Sequence, residues 1–320
     1  MSQPSTTNRE EGVVTASPSR GRQARRWDWL LPVGFMTPAV LIGIGIVFFC
    51  MILLIALSLR EQKLGTLEAL LNSPMSLENY VEIITDPATW RSLWISVIYT
   101  VGTTIVPFGI GLAFALLLNE QMPGRRVLRT LALVPWAIPG VTATIAFMWI
   151  MQPTYGVANY LLRVLGISDA DVDWFGNVNT ALIAVMIPTI WKGVPFFLLM
   201  LLAGLQSING ELYEAAEVDG AGRWAKFRYV TIPSLAPFIF VSLVFGAMHS
   251  FREFDFIYAS TGGGPQGATE TIAVRIFNLA FDRFDFTGAA ALGVFTFVLV
   301  SIVIVLLVRR DRKGALEGFL

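Results

Sequence analysis

Charge is scarce in this chain. Asp, Glu, Lys and Arg make up 14% of its 320 residues, with 23 acidic and 23 basic side chains, where soluble domains carry about 25% charged residues. The balance excludes a polybasic nucleic-acid binder, whose affinity comes from neutralising phosphates. The single cysteine, Cys50, excludes an internal disulfide, and the single histidine, His249, excludes a His-rich metal centre. No G-x-x-x-x-G-K-[ST] phosphate loop is present, because the glycine clusters at 220–222 and 262–264 lack a following Lys-Ser/Thr. No nucleophile–base constellation stands out. Apolar residues, in contrast, form 55% of the chain. That excess excludes a disordered chain and predicts an integral membrane protein.

A helix needs roughly 20 apolar residues to cross about 30 Å of hydrocarbon. Leu30–Leu59, Ser92–Asn119, Thr130–Leu162, Tyr229–Phe251 and Phe286–Val308 contain no charged residue, and Trp174–Gly210 contains one, Lys192. These runs predict an all-α fold with six transmembrane helices, at about 30–57, 93–118, 131–151, 181–205, 235–257 and 287–308. The first run is about twice the length of a signal-peptide core and no convincing small-residue cleavage site follows it, so it reads as a retained anchor. Residues 1–26, rich in Ser, Thr, Pro, Arg and Glu, read as a disordered cytoplasmic tail, and 27–320 as the membrane domain. Lys and Arg accumulate on cytoplasmic loops. The tail, the second-to-third loop, the fourth-to-fifth loop and the C-terminus hold 15 of them, against 6 in the opposite loops. Both termini are therefore expected in the cytoplasm. The outer loops, 58–91, 152–179 and 259–286, carry Trp- and Tyr-bearing stretches suited to a membrane interface.

The fourth-to-fifth loop, 206–234, predicts a helix, a break and a second helix. Asn209 can cap the first helix, and Glu211 and Glu214 sit where carboxylates favour the positive dipole end. Gly220 and Gly222 supply freedom for a sharp turn. Trp224, Phe227 and Val230 form an apolar stripe, and Pro233 is expected to stop the second helix before the fifth span. Such an element suits an interfacial helix on lipid or a docking element for a cytoplasmic partner. Gly262-Gly263-Gly264-Pro265 reads as a loop with unusual backbone angles.

Glu214-Ala215-Ala216, Asp219-Gly220-Ala221, Phe227 and Ile232-Pro233 resemble the EAA loop of bacterial ABC importer permeases. LENY at 77–80, RTLALVPWAIP at 129–139, YGVANYLL at 155–162, WKGVPFFLL at 191–199 and STGGGPQGATET at 260–271 look like the carbohydrate-uptake subfamily, in its maltose-type and glycerol-phosphate-type first permease. Asn209 departs from the usual proline. The resemblance implies a type I importer permease in a bacterial cytoplasmic (inner) membrane. It implies pairing with a second permease, a heterodimer expected, and with two ATPase subunits and an extracytoplasmic binding protein. ATP and Mg would be bound by the ATPases and no cofactor by this chain. Glu214 would pair with a basic residue of an ATPase, and Gly220 would make the turn that seats the helix. The cargo implied is a sugar, or alternatively glycerol-3-phosphate or its diesters. An ion-coupled secondary transporter is a distant alternative, supported only by Glu253 and Asp255.

Charges within spans are costly and usually functional. Lys192 lies beside Trp191 and Phe196 in the fourth span, and His249, Ser250, Arg252, Glu253 and Asp255 cluster at the end of the fifth. Gly246, Ser250, Glu253 and Ile257, at i, i+4, i+7 and i+11, share one helical face. By this reading Ser250 and Glu253 contact the sugar and Trp191 and Phe196 stack on it, with Lys192 nearby and Asp255 along the same pathway. The competing account pairs Arg252 with Asp255 or Glu253, or turns these groups toward the second permease.

Overall fold

A computed structural model describes residues 30–120, 122–168 and 171–311. The expected tail at 1–26, and Arg312 and Lys313 of the basic C-terminus, lie outside the described residues. The chain divides into two compact units, Met1–Leu53 and Leu54–Leu320. The described part of the first unit is helix, α1 (Leu30–Ser58), whose last turn belongs to the second. Residues 40–50 of α1 are all exposed, Cys50 included. An apolar helical stretch exposed on every side suits hydrocarbon.

The regular elements of the second unit are all helices among its described residues, with one isolated antiparallel bridge between Arg60 and Met75. In chain order it contains α2 (Leu67–Asn72), α3 (Glu78–Thr85), α4 (Pro87–Asn119), α5 (Arg125–Ala132), α6 (Val134–Ala137), α7 (Gly140–Ile150), α8 (Val157–Val164) and α9 (Ala181–Ser207). There follow α10 (Gly210–Val218), α11 (Arg223–Lys226), α12 (Ile232–Phe251), α13 (Asp255–Thr261), α14 (Ile272–Phe277) and α15 (Phe286–Asp311). Among the described residues five helical stretches are long and apolar enough to cross a membrane, namely Met36–Ser58, Pro87–Asn119, Ala181–Ser207, Arg223–Thr261 and Phe286–Leu307. A sixth arises if one bent pair counts as a single span.

That bent pair corrects the continuous span expected at 131–151. The chain turns by 96° between the 125–137 segment and α7. Pro139 has no N–H to continue a helix and holds Ile138 in an extended conformation (ψ 127°), so α6 ends and α7 starts afresh. The fifth span holds two further differences. Pro233 does not stop a helix. A wider π-helical turn at Phe227–Thr231 precedes it, with the Ile232 N–H bonded to the Phe227 carbonyl, and the proline falls in the first turn of α12. The same span breaks at residues 252–254, between α12 and α13. Ile257 therefore leaves the face of Gly246 and Ser250 and is buried with Tyr99, Val185 and Val274.

The core forms where α4, α9 and α12 meet, around Ala115, Leu118, Phe197, Leu198, Leu201, Leu205 and Leu235. Without a hydrophobic force between helices in lipid, close packing over small residues holds such a contact. Gly111 of α4 packs against the α9 backbone itself. A Cβ there would stand 2.7 Å from Phe197 Cβ and 2.9 Å from the backbone nitrogen of Leu198, so no side-chain rotation relieves it. Gly111→Val is expected to reduce the membrane-inserted, folded protein to a small fraction of wild type, measured by detergent extraction and size-exclusion chromatography. A wild-type yield would show that the α4–α9 contact tolerates separation.

Polar contacts organise the other end of α4. Asp86 caps it, accepting the Ala88 N–H at 2.9 Å. The Asn79 amide donates to the Ser58 and Arg60 carbonyls, at 3.2 and 2.7 Å. Lys63 bridges Glu82 (2.7 Å) and Asp285 (3.4 Å), and the hydrogen bond it donates to Glu82 raises its pKa above the usual lysine range.

Candidate functional site

The breaks in the third and fifth spans open onto one cavity of about 440 Å³ between α4, α9 and α12. Five of the six residues expected along the pathway meet there: Lys192, Phe196, Ser250, Glu253 and Asp255. Trp191 does not. Its ring packs against Phe147 with centroids 5.5 Å apart, one residue around α9 from the cavity face. Trp136, Phe256 and Met248 line the cavity without having been singled out. The sequence signal for Trp136 was its place in the two-proline segment PWAIP.

Each polar group is held by a local feature. Lys192 donates to the Ile138 carbonyl at 2.7 Å, the acceptor left free by the break at Pro139, and lies 5.8 Å from the Phe256 ring centroid. Asp255 stands beside the start of α7: a Cβ on Gly140 would be 3.3 Å from its carboxylate and 3.8 Å from the Lys192 ammonium. The break thus has a cation at the carbonyl end of α6 and an anion at the amide end of α7, matching both dipole ends. Glu253 accepts the Phe256 N–H at 3.4 Å, which caps α13. Ser250 is buried and accepts from Thr104 at 3.5 Å. Arg252 forms an ion pair with neither Asp255 nor Glu253 among the described residues. Phe196 tilts against Trp136 at 6.5 Å, leaving aromatic faces on one wall. Two cationic and two anionic side chains, with His249, share the remainder. Such a chamber can stack a ring-shaped polar molecule and hydrogen-bond its edges.

The 209–233 segment forms a second feature. Asn209 caps α10 as expected, accepting the Glu211 N–H at 3.1 Å. Gly220 makes the turn with φ +78°, whereas Gly222 is extended. Glu214, Ala215, Asp219 and Gly220 are exposed, and Ala216, Ala221, Phe227 and Ile232 are half-buried. Pro233 is exposed at the base of α12. Val218 is 89% exposed and Trp224 74%. Glu217 pairs with Lys226, whose hydrogen bond lowers the carboxyl pKa below the usual range. Glu214 has no such partner among the described residues.

Residues 105–313 match the model of the family described as binding-protein-dependent transport system inner membrane component. The chain belongs to this family. It is 39% identical to the trehalose/maltose transport system permease protein MalF of Thermococcus litoralis, over 71% of this chain and 76% of that protein. It is 35% identical to the sulfoquinovosyl glycerol transport system permease protein SmoG of Agrobacterium fabrum, over 87% and 91% of the two chains. The fold matches a chain of a bacterial ABC transporter involved in import of the acidic polysaccharide alginate, with a TM-score of 0.76 and 23% identity over 92% of this chain and 99% of that one. A member of this family is a multi-pass inner-membrane permease, a transport subunit whose ATP hydrolysis resides on partner subunits.

Proposed function

We propose that this permease forms half of the translocation pathway of an ATP-driven carbohydrate importer. The cavity carries the reading: aromatic faces of Trp136, Phe196 and Phe256 stand beside Ser250, Glu253 and Lys192, which suits a ring with apolar faces and hydroxylated edges. Similarity to permeases named for maltose and for a sulfoquinovosyl glycerol supports the same cargo class. Glycerol-3-phosphate fits less well, because two carboxylates offset the two cations. The partners are a second permease, two ATPase subunits and an extracytoplasmic binding protein. The termini and the 206–234 loop face the cytoplasm, as the distribution of Lys and Arg supports. Glu214, Ala215, Ala216, Asp219, Gly220 and Ala221, with Phe227, Ile232 and Pro233 at the base, form the ATPase-coupling surface. Phe196, Ser250 and Glu253 contact cargo, and Lys192 and Asp255 shape the wall.

The test uses the reconstituted complex with its binding protein and a panel of sugars. One sugar class is expected to stimulate ATP hydrolysis, and Glu253→Gln and Ser250→Ala to change uptake of that sugar about tenfold, as loss of one or two polar contacts implies. Stimulation by glycerol-3-phosphate instead would reject the carbohydrate reading. Unchanged uptake in both variants would reject the placement of cargo.

A further inference from the structure

A second cavity, of about 350 Å³, lies at the N-terminal end of α4. Arg91, which lines it, precedes Thr103 of the main chamber by twelve residues, about 18 Å along the helix. The two sites are therefore separate. Four glycines, Gly262, Gly263, Gly264 and Gly267, contribute backbone to its lining. Gly262, Gly263 and Gly267 adopt φ of +59°, +96° and +73°, and Gln266 adopts +51°. Consecutive residues of this kind turn their N–H groups into a concave, anion-favouring surface. The N–H groups of Gln266 and Gly267 have no hydrogen-bond acceptor among the described residues.

The charges of this cavity are unequal. Three arginines line it, Arg91, Arg275 and Arg283, against one carboxylate, Glu270. Glu270 is already engaged, by Arg275 at 3.1 Å and by Ser92 at 3.3 Å. Arg275 is buried and also paired with Asp86, yet its Nε has no partner. Arg91 and Arg283 are exposed and have no carboxylate within ion-pair distance among the described residues. No aromatic ring lines the cavity, so a sugar has no stacking surface. Its chemistry is that of a receptor for one carboxylate.

We propose that this cavity receives a single Asp or Glu side chain of the extracytoplasmic binding protein. Arg91 and Arg283 grip the carboxylate, and the Gln266 and Gly267 N–H groups close around it. The assignment rests on the reading of the chain as a carbohydrate importer permease with α4 starting on the outer side. Charge complementarity identifies the occupant: a net positive, open cleft lined by the exposed Arg91 and Arg283 favours a projecting acidic side chain over cargo, which passes through the aromatic chamber. The bidentate fork of arginine gives such a contact its geometry as well as its charge. A docking contact of this type fixes where the binding protein releases cargo relative to the α4–α9–α12 cavity.

The experiment titrates sugar-loaded binding protein against the complete transporter in nanodiscs of neutral lipid, reading ATP hydrolysis. The Arg91→Gln/Arg283→Gln double variant is expected to need about tenfold more binding protein for half-maximal stimulation, as loss of a close interfacial charge pair implies. The salt dependence of that concentration should flatten in the same variant. Arg91→Lys/Arg283→Lys, which keeps the charge and loses the fork, should fall between the two. Co-purification of both ATPases checks assembly. Equal half-maximal concentrations for wild type and double variant overturn the proposal while leaving the importer reading intact. An absence of stimulation in wild type overturns that reading and the proposal with it. An effect that appears only in anionic-lipid nanodiscs assigns the cavity to a lipid headgroup and also overturns the proposal.

Discussion

Gly220→Leu is expected to abolish ATP-driven uptake while leaving an assembled subunit in the membrane. Gly220 adopts φ +78°, a conformation L side chains rarely take, at the turn between α10 and α11. A non-glycine residue there costs about 1–2 kcal/mol. Apart from its immediate chain neighbours, no atom of the described residues lies within 4 Å of the position of a Cβ, so the subunit itself accommodates the leucine. The damage falls on whatever docks against the turn. Gly220→Asn separates the two effects, because asparagine tolerates the left-handed region and is expected to retain most of the transport. Glu214→Ala tests the same surface through charge. Its carboxylate is exposed and unpaired within the described chain, unlike that of Glu217, which Lys226 already occupies. Removing one partner of a desolvated interfacial charge pair costs about 2–5 kcal/mol, so ATPase subunits should co-purify poorly and uptake should fall at least tenfold. Wild-type uptake in proteoliposomes of both Gly220→Leu and Glu214→Ala would remove the coupling role from this segment.

The spans were legible because charge is so costly in hydrocarbon that uncharged runs mark them directly. The cap at Asn209 and the turn at Gly220 were legible too, since each depends on a few neighbouring residues. The breaks were not. Pro107, Pro188 and Pro195 sit inside continuous helices, while Pro139 ends one, and no local property of the sequence separates them. What differs at Pro139 is tertiary: Lys192, 53 residues away, supplies the donor that the freed Ile138 carbonyl needs. The orientation of Trp191 escaped for a related reason. A helix that is apolar all round carries no moment to show which side faces the cavity. Lys192 and Phe196, four apart, share that side and Trp191 turns to Phe147. Ile257 was placed on the face of Gly246, Ser250 and Glu253 by a period that assumed an unbroken fifth span, and the break at 252–254 moved it into the core.

Lys192→Met is the substitution that distinguishes a cargo contact from a structural peg. Methionine matches the length and flexibility of the lysine stem and removes only the ammonium. In the structure that ammonium serves the half-buried Ile138 carbonyl at 2.7 Å. Leaving a buried acceptor unsatisfied costs about 1–3 kcal/mol. Asp255, beside the same break, would at once lose its nearby cation. The two losses act together on the 96° bend that forms one wall of the cavity. Thermal unfolding of the purified complex should therefore shift down by about 5 °C or more, the size expected for roughly 2 kcal/mol in a unit of this length. Lys192→Arg keeps charge and donors and should recover most of the stability. Adding Asp255→Asn to Lys192→Met should cost less than the sum of the two single changes, because the carboxylate left without its cation is neutralised. A Lys192→Met complex as stable as wild type but altered in its response to sugar would make Lys192 a cargo contact and leave the bend at Pro139 to be held by packing alone.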